Sequence, residues 1–274
     1  NPFTYQETHF SSQFAQYLKQ KLELDLTNSV PPKIDFEAQS ASVTRDLVTS
    51  SGADYLMSGT YWDREEEIEI SAWLRDTQRR TTIARANVTL SKSLIPQGVE
   101  LTPANLELAI ARKRSFANNQ IQSRRLQLEM WTNKGNEGLV FSRGEEMEIF
   151  LRVNRPCYVR LLYILADGTK TLLLDAFRIS PSQVNQIVSI NQIISVSFEC
   201  SAPFGAEILS AIARNQPFNS INTVEIDGYN FIQLDDTEEL VTMLRDTGGL
   251  QDSTENGSNI VQSEKNVMIT TIDI

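Results

Sequence analysis

The sequence predicts an α+β protein in two parts. A small N-terminal α/β layer domain covers residues 1–92, and a β-sandwich domain with appended helices covers residues 125–274. Apolar residues recur with helical spacing near the N-terminus and alternate in the strands that follow. From Leu126 onward the apolar period is two, and turn residues separate short runs. The Asp167-Gly168 pair, flanked by apolar runs, is the strongest hairpin signal in the chain.

The composition is that of a folded, acidic protein. Of the 274 residues, 41% are hydrophobic and 22% are charged, which is typical of globular domains. The net charge of −10 argues against nucleic acid as a partner, because a phosphate backbone needs a lysine and arginine footprint. No apolar run approaches the roughly 20 residues that cross a bilayer. The chain starts at Asn1 without a methionine, so we expect a leader or membrane anchor to precede it.

The N-terminal domain is predicted from alternating helical and strand patterns. The first helix, within residues 8–26, carries an apolar stripe of Phe10, Phe14, Tyr17, Leu18 and Leu22. A strand, a second helix and a three-strand meander follow. Their predicted bounds are Lys33–Ala38, Thr44–Ser50, Ala53–Trp62, Glu67–Asp76 and Thr82–Leu90.

Alternation assigns the faces of the last two strands of this meander. Ile68, Ile70, Ala72 and Leu74 share one face, which we expect to lie on the core, and Trp73 falls on the opposite, polar face. The predicted inner face of the next strand consists of Ala84, Ala86, Val88 and Leu90.

Residues 93–124 are predicted to connect the two domains. Thr102 is well placed to cap a helix whose first turn contains Pro103. A modest apolar stripe then follows at Leu106, Ala109 and Ile110. We therefore expect a connecting helix in this stretch.

The second domain is predicted to consist mainly of short strands. Alternating apolar residues are Leu126, Leu128 and Met130, and then Met147, Ile149, Leu151 and Val153. Further strands are expected at Ile187–Ile190, Val196–Cys200 and Val267–Ile274. One helix is expected to open at Pro203-Phe204-Gly205 and continue through Ile208, Leu209 and Ile212, and another to cover Thr237–Asp246 with Thr237 as its cap.

Two cysteines, Cys157 and Cys200, share strand parity with apolar neighbours. Both are therefore expected to face one core. Two interpretations stay open. They are either a pair of reduced core cysteines or an intersheet disulfide, and the disulfide would need an oxidising compartment and adjoining strands.

Four motifs of the second domain carry a resemblance to a known family. They are Phe141-Ser-Arg-Gly-Glu145, Cys157-Tyr158, Leu162-Tyr-Ile-Leu-Ala-Asp-Gly168 and Pro203-Phe-Gly-Ala-Glu-Ile-Leu209. With them, residues 126–213, and by extension the region to 274, resemble the DUF4384 family, a bacterial domain of unknown function. These motifs are turns and core strands, so the resemblance implies a fold rather than an activity.

The first 92 residues resemble, more distantly, the α/β domain of envelope lipoproteins of the curli-secretion, flagellar-assembly and penicillin-binding-protein-activator types. The stretch Ser51-Gly-Ala-Asp-Tyr-Leu-Met-Ser-Gly59, the strand Ile68–Leu74 and the strand ending at Leu90 carry this resemblance. The opening NPFTYQETHF departs from it, since it supplies little of the buried strand expected before the first helix. Together the two resemblances imply an exported protein, periplasmic or outer-membrane-associated, with a role in assembly or interaction. A membrane tether would come only from an anchor that precedes Asn1.

No residue pattern predicts a catalytic, cofactor or metal site. His9 is the sole histidine, and no cue for a nucleophile accompanies it, so we expect an ordinary helix-start residue. The cysteines lack zinc-ligand spacing, and neither a dinucleotide nor a P-loop glycine motif is present. The acidic run at Asp235-Asp236 lacks the ligand spacing of a calcium loop. We therefore expect a protein without a cofactor that is not an enzyme, with a hydrolase as the less favoured alternative.

Three aromatic residues form the candidate interaction surface. Trp73, Trp131 and Phe150 fall on the otherwise polar faces of their strands. If exposed, they would bind a protein or stack on a sugar, and if covered, they would mark a contact with a neighbouring helix or domain. The sequence thus favours a non-enzymatic protein that acts through protein partners in the cell envelope. Carbohydrate or peptidoglycan binding is the alternative.

Overall fold

The computed structural model describes residues 3–29, 34–35, 54–118, 120–246 and 260–273. Within these ranges the predicted α+β class is confirmed, with strands grouped into four sheets and helices packed beside them. The predicted helix Thr44–Ser50 lies outside the described residues, as does most of the predicted strand Lys33–Ala38.

The N-terminal sheet has five strands and the order β1-β3-β4-β5, with β2 beside β3. Strands β3, β4 and β5 form the predicted antiparallel meander, and β1 and β2 run parallel to β3. The elements are β1 Phe3–Tyr5, helix α1 Gln13–Ser29, β2 Ile34–Asp35, β3 Tyr55–Asp63, β4 Glu67–Asp76 and β5 Thr82–Ser91.

Strand β1 corrects one expectation, because the opening segment does supply a buried strand before the first helix. Phe3 is fully buried and pairs with Gly59 of β3. The strand was missed because only three residues take part, too few for an alternating pattern to stand out. Its side chains pack with the core residues Phe14, Ala15, Tyr61, Ile68 and Ile70.

Strand β5 corrects a second expectation. Its predicted inner face is exposed at Ala84, Ala86 and Val88, and only Leu90 reaches the core cluster. Strand β5 lies at the edge of the sheet, whereas the buried aromatic residues of this core come from α1 and from β1 and β3. Alternation identifies which side chains share a face but not whether another layer covers that face.

Gly59 is the position at which β1, β3 and β4 approach most closely. A Cβ at this residue would stand 2.5 Å from a ring carbon of Phe3 and 2.5 Å from the backbone oxygen of Ser71. We expect Gly59→Ala to destabilise the protein by about 1–3 kcal/mol, since a buried ring and a strand must shift. Urea unfolding would measure the loss, with Ala86→Gly, at an exposed strand position, as a control expected to lose less than about 1 kcal/mol. An equal loss in the two variants would contradict this account.

The second region contains three further sheets. A seven-stranded sheet has the order β15-β16-β11-β10-β14-β17-β7, a three-stranded sheet the order β12-β9-β6, and β8 pairs with β13. The strands are β6 Leu128–Thr132, β7 Leu139–Ser142, β8 Glu146–Met147, β9 Ile149–Val153, β10 Cys157–Ile164, β11 Lys170–Ile179, β12 Val188–Ser189, β13 Phe198–Glu199, β14 Ala206–Arg214, β15 Val224–Ile226, β16 Tyr229–Phe231 and β17 Gln262–Ile272. The helices are α2 Leu106–Ala117, α3 Ile190–Ile194 and α4 Thr237–Arg245.

The seven-stranded sheet is covered on both faces. One face packs against the three-stranded sheet, and the alternating residues predicted for β6 and β9 are buried there, with Leu161, Leu209 and Ile269 opposite. The other face packs against α2 and α4 through Phe116 and Leu240. The region is therefore a β-sandwich with a helical layer on its larger sheet.

The helix predicted from Pro203-Phe204-Gly205 through Ile212 is wrong. Residues 206–214 form β14, a central strand that pairs with β10 on one side and β17 on the other. All nine residues are buried. A strand covered on both faces reads as a continuous apolar run, and periodicity cannot distinguish such a run from a buried helix.

Two predicted helix caps also differ. Helix α2 follows Asn105 rather than Thr102, and Asp236 rather than Thr237 caps α4, with its carboxylate accepting from the backbone N–H of Glu239 at 2.7 Å. The side chain of Asn105 is used elsewhere. Its amide donates to the backbone oxygens of Ala166 and Ala206 at 2.7 and 2.8 Å, and its oxygen accepts from the N–H of Ala206.

The stretch predicted to connect the domains is packed onto the sandwich. Besides Phe116, Ala109 of α2 is buried in the helical layer, and so is Phe10, which belongs to the predicted stripe of the first helix. Lys113 donates to the backbone oxygen of Thr8 at 2.8 Å, and the backbone N–H of Ser11 donates to Thr270 of β17 at 3.1 Å. These contacts tie the N-terminal segment to the larger sheet.

Candidate binding pocket

A pocket of about 400 Å³ opens at one end of the sandwich. Its floor is the sandwich face of the seven-stranded sheet, formed by residues of β10, β11, β14, β16 and β17. Its other wall is the ribbon of β8 and β13 and the segment that continues to Pro203. The pocket therefore lies where the larger sheet extends past the three-stranded sheet, whose residues do not line it.

Most of the lining is apolar and aromatic. Phe141, Phe198, Tyr229 and Phe231 contribute rings, and Met147, Leu165 and Leu173 contribute aliphatic surface. A lining of this kind, with a few polar groups, is typical of sites that bind an apolar group of a ligand.

Three polar side chains meet at the floor. Glu207 of β14 is 3% exposed, and the phenol of Tyr163 of β10 donates a hydrogen bond to its Oε2. The hydroxyl of Thr271 donates to Oε1 at 3.3 Å. Glu207 has the strand parity of the buried Leu209, which explains why its carboxyl points into the sandwich rather than into solvent.

Burial sets the proton affinity of this acid. Burial raises the pKa of Glu207 to about 7. Hydrogen bonds from Tyr163, Thr271 and the backbone of Ala166 lower the pKa and offset only part of this rise. Burial and the nearby carboxyl raise the pKa of Tyr163 well above its ordinary value, so the phenol keeps its proton. Near neutral pH the floor therefore holds an acid that either accepts or donates a hydrogen bond.

Cys200 also lines the pocket, and its thiol is not activated. Burial raises its pKa to about 11, and the thiol donates to the backbone oxygen of Phe141 at 3.4 Å. A thiol with so high a pKa carries almost no thiolate at neutral pH, which is the opposite of a nucleophilic cysteine. The Cys200 thiol is therefore not prepared to act as a nucleophile in this pocket.

The pocket continues into the free edge of the sheet. Val224 pairs with Phe231 and Ile226 pairs with Tyr229, so all four side chains share the pocket face. Val224 and Ile226 are 42% and 51% exposed. In the described part of the chain, no strand pairs with the outer side of β15.

The structure places the predicted cysteine pair in one core. Cys157 and Cys200 both belong to the cluster between the two sheets, and both thiols are free.

The candidate aromatic surface is divided between two sheets. Trp131 and Phe150 lie opposite each other on β6 and β9, with ring centroids 5.9 Å apart in a stacked arrangement. Trp131 is only 6% exposed, so its ring is covered rather than displayed. Trp73 lies half-buried on the N-terminal sheet, opposite Ser58 and Arg85.

The other residues considered as catalytic or metal-binding candidates do not lie together in one site. His9 is exposed in the turn before α1, and Asp236 serves as the cap of α4. Among the described residues, no group of three or more histidine, cysteine, aspartate or glutamate side chains is arranged to hold a metal ion. None of the helices described here is both long and apolar enough to cross a membrane.

The comparison with protein families identifies the region that contains the pocket. Residues 140–217 match DUF4384, a domain of unknown function. The match confirms most of the DUF4384 region predicted at residues 126–213 and does not reach the predicted extension to residue 274. It includes Phe141, Tyr163 and Glu207, whereas Tyr229 and Phe231 lie beyond it. Comparison with curated proteins and with solved structures gives no significant match, and the resemblance of residues 1–92 to envelope lipoproteins stays a prediction.

Sequence reasoning missed the pocket, although one signal pointed to it. Glu207 is the single acidic residue in the apolar run Ala206–Ala213. A lone acid in such a run costs free energy unless it is hydrogen-bonded or neutral, so it marks a constrained site.

Proposed function

We propose that this chain is a non-enzymatic protein of the bacterial cell envelope that acts by binding a protein partner. Its β-sandwich region would bind an extended segment of that partner along β15, with one apolar side chain of the segment in the pocket. The observation that carries this proposal is the continuity of the pocket with the exposed, unpaired strand β15.

An extended segment of a partner would fit both the pocket and the unpaired edge strand β15. A free sheet edge offers backbone N–H and C=O groups to an added strand, and the side chains that alternate along that strand then meet the same face as Val224 and Ile226. Exposed apolar residues on a free edge invite such pairing, and proteins without a partner for such an edge usually protect it with charge. The aromatic walls fit an apolar side chain, and Glu207 and Tyr163 would form hydrogen bonds with a polar tip.

The setting in the envelope is supported by the resemblance of residues 1–92 to envelope lipoproteins. The absence of an activated nucleophile at Cys200 supports a role in binding rather than in catalysis. The glycan alternative has less support, because Trp131 is buried against Phe150 and its face is not open to a sugar ring.

Site-specific photo-crosslinking in intact cells tests this proposal. A photoreactive phenylalanine analogue at Ile226 is expected to crosslink one dominant protein, identified by mass spectrometry. The same analogue at Val88, an equally exposed residue of the N-terminal sheet, serves as the matched control. Ser197→Trp, which places a ring at the pocket mouth, is expected to reduce the crosslink at Ile226.

Two outcomes would reject the proposal. One is the same set of proteins captured at Ile226 and Val88. The other is a crosslink at Ile226 that Ser197→Trp leaves unchanged, because the pocket would then take no part. Recovery of peptidoglycan or glycan fragments in place of a protein would support the carbohydrate alternative.

A further inference from the structure

A second, more polar pocket of about 510 Å³ opens on the helical side of the same sheet. It is bounded by Arg112 of α2, the hairpin turn from Asp167 to Lys170, and residues 231–235 between β16 and α4. It therefore lies at the same end of the sandwich as the first pocket, on the opposite face of the sheet.

Arg112 differs from the other buried arginines. The residue is 8% exposed, and none of the hydrogen bonds or ion pairs of the described residues involves its guanidinium. By contrast, Arg160, Arg214 and Arg245 are each paired with a carboxylate at 2.6 to 2.8 Å. The guanidinium borders the pocket, and its nearest counter-charge is the exposed carboxylate of Asp167, which makes no direct ion pair with it. A bound anion would supply the hydrogen-bonded partner that the protein does not.

The hairpin turn holds the guanidinium at the pocket. Gly168 has a φ of +94°, and a Cβ there would stand 2.3 Å from a terminal nitrogen of Arg112. Glycine adopts this conformation without strain, and its lack of a Cβ leaves room for the guanidinium to lie against the turn. Lys170, 9% exposed, lies beside it and donates to the backbone oxygen of Gly168 at 3.0 Å.

The charges of the lining favour a particular class of anion. Arg112 and Lys170 are buried cations, whereas Asp167 and Asp235 are exposed carboxylates. Asp167 is occupied in the turn, where it accepts from the backbone N–H of Thr169 at 2.8 Å. Both aspartates repel an anion in this pocket, and they repel a dianion such as hydrogen phosphate about twice as strongly as a single carboxylate. A carboxylate also matches the planar fork of an arginine.

We propose that Arg112 and Lys170 form a binding site for the carboxylate group of a small ligand. The carboxylate would accept two parallel hydrogen bonds from Arg112 and a third from Lys170. The site is separate from the pocket that contains Glu207, and its test is independent of the proposed protein partner.

Arginine side-chain NMR tests the site directly. Sodium acetate is titrated into the full chain at constant ionic strength, with sodium chloride and inorganic phosphate as comparison anions. The Arg112 Nε signal, assigned by its loss in Arg112→Met, is expected to shift and saturate with acetate and to respond less to phosphate. Chloride is expected to produce no saturable shift, and neither is acetate at the exposed Arg114.

The melting temperature provides a second readout. A purely structural role of Arg112 would not produce the change that we expect. If the guanidinium is an unpaired charge kept for a ligand, Arg112→Met is expected to raise the Tm of the ligand-free protein by about 2–4 °C. The matched variant Arg114→Met is expected to leave the Tm unchanged. The absence of a saturable acetate shift overturns the proposal, and so does an Arg112→Met protein that is less stable than wild type or does not fold.

Discussion

Replacing Arg160 by methionine is expected to lower the free energy of unfolding by about 3 kcal/mol, the largest loss that we predict for a single side chain. Arg160 lies in β10 with 1% exposure, and it donates to Asp175 Oδ1 from Nε at 2.8 Å and from Nη2 at 2.6 Å. Nη1 donates to the backbone oxygen of Leu244 at 3.2 Å, at the C-terminal end of α4. One side chain thus joins two neighbouring strands of the sheet, β10 and β11, to α4.

The size of the effect follows from what the substitution leaves behind. Methionine fills a similar volume, so packing changes little, but Asp175 and the last turn of α4 lose their donor. Asp175 is 29% exposed and can be partly rehydrated, which places the expected loss at the lower end of the range for broken buried pairs. The guanidinium also lies 4.5 Å from the ring centroid of Phe218, and this cation–π contact is lost as well.

Urea unfolding followed by circular dichroism would measure this loss. Arg178→Met is the matched control, because Arg178 is an exposed residue of β11, and its replacement is expected to change the free energy of unfolding by less than about 0.5 kcal/mol. A loss below about 1 kcal/mol for Arg160→Met would contradict the view that this arginine anchors α4.

The Asp167-Gly168 hairpin signal predicts strands on both sides of the turn, and Arg160 lies in the first of them, but the signal does not predict the role of the arginine. Alternation and apolar runs identified most strands of the sandwich, since a residue's parity along one strand is a local property. The carboxylate partner of Arg160 lies 15 positions away on β11, and its other contacts lie at position 218 and beyond. Which strands adjoin is a property of the whole topology, so a buried ion pair between strands does not follow from spacing.

The same distinction, between the local parity of a residue and the topology of the whole fold, explains which parts of the candidate site could be predicted. Cys157 and Cys200 were placed in one core by parity alone, and the structure locates both there. Trp131 was assigned correctly to the face opposite Met130, yet that face is covered at this position. The pocket combines residues of eight strands. The run around Glu207 lies in β14, but its apolar pattern also fits a helix. The periodicity of apolar residues therefore locates strands along the sequence. Which strand faces are covered, and which residues meet in one site, depends on the three-dimensional fold.

Glu207→Gln is expected to remove a pH dependence of stability that the wild-type protein shows between about pH 4.5 and 7. The folded pKa of Glu207 is raised to about 7 from an ordinary value of 4.5, because burial penalises the carboxylate. In this window the folded state binds more protons than the unfolded state, so the free energy of unfolding falls as the pH rises. The contribution of Glu207 is fully present below about pH 4.5 and is lost as the pH passes through 7.

The expected size follows from the shift itself. Since one pKa unit corresponds to about 1.4 kcal/mol, the advantage of Glu207→Gln over wild type should grow by about 2–3 kcal/mol from pH 5 to pH 8. Glutamine keeps an oxygen that accepts from Tyr163 and cannot ionise, so the comparison isolates the charge. Glu199→Gln, at an exposed position of the same pocket, is the control, and its difference from wild type should change less between pH 5 and 8 than that of Glu207→Gln. A difference between Glu207→Gln and wild type that stays constant from pH 5 to 8 would mean that the carboxyl ionises normally, and the pocket would then have a charged floor.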